Sequence, residues 1–113
     1  MSLKDLTERE KEIILECLKA SINGPFFPES EFHTIFGVYP KEVKEVISNW
    51  PNVDEDEIAV RLSINNAMNN LLGYPDNCGK YWSEFITVSK KEIGRIFVKW
   101  KGNKVSNYFI GLM

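Results

Sequence analysis

The stretch Asp54-Glu55-Asp56-Glu57-Ile58-Ala59-Val60-Arg61-Leu62-Ser63-Ile64-Asn65-Asn66-Ala67-Met68-Asn69-Asn70-Leu71-Leu72-Gly73 decides the fold class. Val60, Ile64, Ala67, Met68, Leu71 and Leu72 recur at the spacing that aligns side chains along one face of an α-helix. Ile58 and Leu62 extend the apolar arc past Asn65 and Asn69. A helix apolar over that much of its circumference is expected at the centre of a helical bundle. Asp54-Glu55-Asp56-Glu57 reads as its capping box: Asp54 is the cap, and four carboxylates sit near the positive end of the helix dipole.

Toward the N-terminus, Thr7-Glu8-Arg9-Glu10 has the form in which a hydroxyl and a carboxylate each satisfy a free backbone amide at a helix start. Ile13, Ile14, Cys17, Leu18, Ser21 and Ile22 then share one face, opposite Glu8, Arg9, Glu12, Glu16 and Lys19. Asn23-Gly24-Pro25 stops this helix, with Gly24 expected as a left-handed cap and Pro25 lacking a donor. Pro25-Phe26-Phe27-Pro28 is a stiff aromatic turn, and Pro28 is suited to open a short helix to about Gly37 with Phe32, Ile35 and Phe36 buried. Pro40 opens a further helix through Trp50, with Val43, Val46, Ile47 and Trp50 on one face.

Toward the C-terminus, residues 74–79 are rich in turn formers, and a short helical turn is expected through Tyr81, Trp82, Phe85 and Ile86. Ser89-Lys90-Lys91-Glu92 is a third capping box, opening a helix that buries Ile93, Ile96, Phe97 and Trp100 and ends near Gly102-Asn103. Residues 104–113 are apolar and too short to classify; a tail that docks is one option. The expected architecture is all-α: a single domain over residues 1–113 forming a compact bundle of five or six short helices.

With 43% hydrophobic and 12% aromatic residues, the 113-residue chain can build one core. No window approaches the roughly 18 consecutive apolar residues of a membrane span. Nor does an apolar run follow Met1-Ser2-Leu3-Lys4, so a cytoplasmic protein without membrane partners is expected. Cys17 and Cys78 read as two free thiols, with a disulfide as the alternative. Net charge is −2, but residues 1–60 carry 6 Lys/Arg against 13 Asp/Glu and residues 61–113 carry 8 against 3, which makes the halves −7 and +5.

Three features bear on function. Phe32, Phe36, Gly37, Val38, Val43 and Val46 fall where a helix-turn-helix places its apolar contacts and turn glycine. Ahead of them, Leu6-Thr7-Glu8-Arg9-Glu10-Lys11-Glu12-Ile13 resembles the opening of the DNA-binding domains of quorum-sensing and two-component response regulators. That resemblance implies a helix-turn-helix-like, tri-helical N-terminal half that reads nucleic acid through the segment opening at Pro40. Two departures stand against it: His33 occupies the place of a small residue, and Pro40-Lys41-Glu42-Val43-Lys44-Glu45 is charge-neutral and lacks Arg, Gln or Thr.

The second feature is the set Lys90, Lys91, Arg95, Lys99 and Lys101, followed by Lys104 and interleaved with Phe97 and Trp100; cations beside aromatics suit single-stranded nucleic acid. Helical spacing instead buries the aromatics and leaves the cations as a solvated face. The third is the amide cluster Asn65, Asn66, Asn69 and Asn70, which lowers helix propensity and calls for a reason. The wheel sets Asn66 and Asn70 with Ser63 on a polar side and Asn65 and Asn69 partly buried. They would clamp the loops at 23–28 and 74–79, or line a small-molecule pocket with His33 and Tyr74.

His33, the single histidine, has no paired imidazole or thiol to make a metal site and is expected in the core or bonded to a loop. No cofactor or metal is called for, and the carboxylates fall at helix starts and exposed faces rather than in a catalytic pocket. The leading expectation is a non-enzymatic module that binds another protein, with Phe26 and Phe27 as candidate contacts. A nucleic-acid-binding domain and a small-molecule-binding domain are the alternatives.

Overall fold

The computed structural model describes residues 3–73 and 79–102, and these form six α-helices with no strand among them. After a 3-10 turn at Leu3–Asp5 come α1 (Glu8–Asn23), a 3-10 turn at Glu29–Glu31, α2 (Phe32–Phe36), α3 (Pro40–Asn49), α4 (Ile58–Leu72), α5 (Gly79–Phe85) and α6 (Lys90–Lys101). The expected helical bundle is the observed one. Tyr74, Cys78 and the segment 104–113 lie outside the described residues. Among those described, no helix is long and apolar enough to cross a membrane.

The α4 helix is central, packing against α1, α2, α3 and α6. Ile64, Ala67, Met68 and Leu71 are fully buried and meet Ile14, Cys17 and Leu18 of α1 and Ile93, Ile96 and Trp100 of α6 in one core. Cys17 is a free thiol there, and burial pushes its pKa up. The apolar arc differs from expectation at its edge. Ile58 is 76% exposed and Leu62 half-buried, whereas Ser63 is fully buried and donates to the Ala59 carbonyl at 2.7 Å. That hydrogen bond removes the cost of burying the hydroxyl.

The Thr7 capping box forms as expected: Thr7 Oγ1 accepts the Glu10 N–H at 3.1 Å and Glu10 Oε1 accepts the Thr7 N–H at 2.9 Å. At Ser89 only half forms, the hydroxyl accepting the Glu92 N–H at 3.3 Å while the Glu92 carboxylate turns to Arg95. The box expected at Asp54 is not the start of α4. Asp54 Oδ1 accepts the Asp56 N–H at 2.9 Å in a local turn, and the helix begins after Glu57, which makes no side-chain cap. Glu55 is drawn away instead: its carboxylate accepts the Leu3 N–H at 3.0 and 3.1 Å and Trp100 Nε1–H at 2.9 Å. It thereby ties the N-terminal turn and α6 to the loop before α4.

The end of α1 also departs from expectation. Gly24 is extended, with φ −87° and ψ 172°, and its N–H closes on the Ala20 carbonyl at 2.8 Å. A Cβ there would stand 2.7 Å from both the Ala20 oxygen and the Phe26 ring, so close approach rather than backbone sign requires glycine. Gly37 at the end of α2 does need its glycine for conformation, with φ +74°.

Two outcomes follow for urea unfolding. Gly24→Ala is expected to cost about 2 kcal/mol through overpacking. Glu55→Ala is expected to cost a further ~2 kcal/mol, because it strips the acceptor from two partly buried donors. Losses below a few tenths of a kcal/mol would show that neither contact holds the fold.

Candidate functional site

The sequence candidates divide by where the fold puts them. Phe26 is buried, meeting Trp82 and Phe85 edge-on at centroid distances of 6.1 and 5.9 Å, and half-buried Phe27 meets Phe36 at 5.3 Å. The aromatic turn therefore packs α5 and α2 together. His33 is not in the core: it is exposed and stacks on Tyr39 at 4.2 Å. A five-residue α2 offers its short, otherwise solvated end to such contacts rather than enclosing the imidazole.

Asparagines of α4 do bond across to another element, but from the other pair and to α2 rather than to the loop at 23–28, and residues 74–78 lie outside the described residues. Asn66 Nδ2 donates to the Phe36 carbonyl at 2.8 Å and Asn70 Nδ2 to the Ile35 carbonyl at 3.5 Å. These are carbonyls at the end of α2, which lack intrahelical partners. Asn65 is half-buried and donates to Asn66 Oδ1 at 3.1 Å, and Asn69 is exposed. Asn65 is partly buried as expected, with its Oδ1 enclosed and unpartnered, whereas Asn69 lies exposed on the side of Ile58.

The basic stretch of α6 is largely engaged within the fold. Glu10 is only 5% exposed, and its carboxylate receives Lys99 Nζ at 2.8 Å and Arg95 Nη2 at 3.0 Å. Arg95 also pairs with Glu92, which raises its pKa, and the same bond lowers that of Glu92. Lys90 and Lys101 lie over the Trp82 and Phe97 rings at 5.7 and 5.4 Å, and Lys91 is exposed. Burial by itself raises the Glu10 pKa, but hydrogen bonds from Lys99, the Thr7 N–H and Arg95 outweigh it and hold the carboxyl at about 2.

A different set of charges is left facing solvent. In α3, Val43 and Val46 are buried, and the helical repeat turns Glu42, Glu45 and Asn49 toward the start of α4. The turn through Asn52, Val53 and Asp54, closed by Asn52 N–H to Asn49 O at 2.8 Å and Glu57 N–H to Asp54 O at 3.1 Å, brings Asp54 and Glu57 to the opposite wall. Between them lies a cleft of about 420 Å³ over an apolar floor of Val46, Val53, Ala59 and Val60. No Lys or Arg lines it; Lys44 of α3 faces a smaller cavity of about 160 Å³ with Glu29, Phe27 and Phe32. Neither cavity is lined by His33, Asn65 or Asn69.

Glu42 accepts the Tyr39 N–H at 2.9 Å and Asp54 closes its own turn, but Glu45 and Glu57 have no ion-pair partner among the described residues. Among those residues no group of three or more His, Cys, Asp or Glu is arranged to hold a metal ion. The cleft therefore presents spread negative charge above an apolar floor, repelling phosphate and attracting extended cations. The sequence hides this cleft because Glu57 has the pattern of a helix cap and Glu45 stands in a charge-neutral helix. The shared face of 42, 45 and 49 was the available signal.

The low pKa of Glu10 makes stability depend on pH with a definite sign. The folded carboxyl sits near 2 against an ordinary 4.5, so its contribution is complete above about 4.5 and is lost as pH falls toward 2. Glu10→Gln is expected to cost about 2 kcal/mol in chemical unfolding at pH 7, discounted for the half-exposed Arg95 and Lys99, and little at pH 2. An equal cost at both pH values would contradict this.

The chain matches no protein-family model, no curated protein and no solved structure.

Proposed function

We propose that the protein is a binding module that receives a partner protein in the α3–α4 cleft. The observation that carries this reading is a difference in how the two charged halves are used. Arg95 and Lys99 of α6 are paired with Glu10 and Glu92, whereas Glu45 and Glu57 face a cleft with no counter-charge lining it. A cleft of about 420 Å³ floored by valine and alanine gives apolar contact as well as charge. Charge complementarity of this kind speeds encounter and selects partners more than it adds affinity.

Nucleic acid has less to bind. Arg95 and Lys99 would have to leave a buried carboxylate to neutralise phosphates, and the outer edge of α3 would meet phosphates with Glu42 and Glu45.

The test is affinity capture from the native host with wild type, a Glu45→Lys/Glu57→Lys double variant and a Glu31→Lys control, with circular dichroism verifying equal helicity. The expected result is a protein retained by wild type and by the control and lost from the cleft variant. Capture unaffected by reversing the cleft charges would overturn the proposal.

A further inference from the structure

Resting on that reading, we infer that the occupant of the α3–α4 cleft is a basic segment of a partner protein carrying an apolar anchor: Lys or Arg side chains flanking one aliphatic or aromatic residue.

Charge supplies the first argument. The carboxylates stand on two walls, Glu42 and Glu45 on one and Asp54 and Glu57 on the other, and do not converge as ligands of one ion. Several separated cations on one chain match that spread better than a point charge does. The floor of Val46, Val53, Ala59 and Val60 would hold the methylene stems of those cations while their heads reach the walls.

The second argument is independent of charge. Ile58 is 76% exposed and Tyr39 54% exposed, and they are the large hydrophobic side chains that the described surface leaves most open. A lone exposed apolar residue needs no explanation. These two stand at the starts of the two helices that wall the cleft: Tyr39 immediately precedes α3, and Ile58 opens α4 between the lining residues Glu57 and Ala59. An anchor from the partner would cover Ile58 while its flanking cations entered the cleft.

The experiment is a two-dimensional amide NMR titration of the full chain with four probes: a peptide alternating Lys with Leu, the same peptide with Ser for Leu, the same with Glu for Lys, and spermine. The Lys/Leu peptide is expected to shift the amides of Glu45, Asn49, Asn52, Glu57 and Ile58, with affinity falling as salt rises. Glu45→Gln/Glu57→Gln and Ile58→Ser should each weaken it roughly tenfold. Neither change touches a side-chain contact within the described fold, and an unchanged spectrum elsewhere verifies that.

Equal binding of the Lys/Ser peptide or of spermine, or no effect of Ile58→Ser, would overturn the anchor. Tighter binding of the Glu/Leu peptide at the same amides would overturn the basic partner and leave the cleft standing as a binding surface. If no probe shifts cleft amides, both the occupant and the binding surface fall.

Discussion

The carboxylate of Glu10 is the contact on which the arrangement of this protein turns. It begins as a local device, closing the capping box at Thr7 and so fixing where α1 starts. Because α1 and α6 pack side by side, the same two oxygens also receive Lys99 and Arg95, some ninety residues away in sequence. A buried carboxylate without such partners would be unfavourable, so the contact favours the rotation of α6 that delivers both cations. The same rotation has Ile93, Ile96, Phe97 and Trp100 in the core against α4. Glu55 repeats the logic at the residue next to Lys99, accepting Trp100 Nε1–H together with the Leu3 N–H.

This use of charge inside the fold shapes what remains outside it. The two halves of the sequence carry opposite charge, and the α1–α6 contact joins one carboxylate of the acidic half, Glu10, to two cations of the basic half, Arg95 and Lys99. The α3–α4 cleft takes no part in it. Its walls come from a helix and a turn whose buried residues, Val43, Val46 and Val60, satisfy the core and leave the carboxylates pointing away from it. Solvation is what keeps four such groups tolerable together, and a basic partner would replace that solvation with counter-charge.

The helices themselves were readable from the sequence because their information is local. Thr7-Glu8-Arg9-Glu10 and Ser89-Lys90-Lys91-Glu92 place their starts, and the 3.6-residue repeat of Val60, Ile64, Ala67, Met68 and Leu71 identifies the central helix. What was not readable depends on distant partners. Asp54-Glu55-Asp56-Glu57 has the pattern of a cap, but Trp100 and Leu3 claim Glu55 and the helix starts three residues later. Ile58 looks like core and lies outward, and the contacts to α2 come from Asn66 and Asn70 rather than from Asn65 and Asn69. Asn66 and Asn70 are needed because the short α2 ends with carbonyls that only another element can satisfy. The cleft was missed for the same reason, since neither wall is remarkable until the turn at 51–54 brings them together.

The most direct measurement is the titration of the Glu10 side-chain carboxyl carbon by NMR in the intact protein, followed as pH falls from neutral. A midpoint at about 2 is the predicted result, with the Lys99 and Arg95 resonances moving in the same step. A midpoint near the ordinary 4.5 would mean that the α6 cations are not held by Glu10. They would then be free to face solvent, and the contrast between an engaged basic helix and an open acidic cleft would disappear.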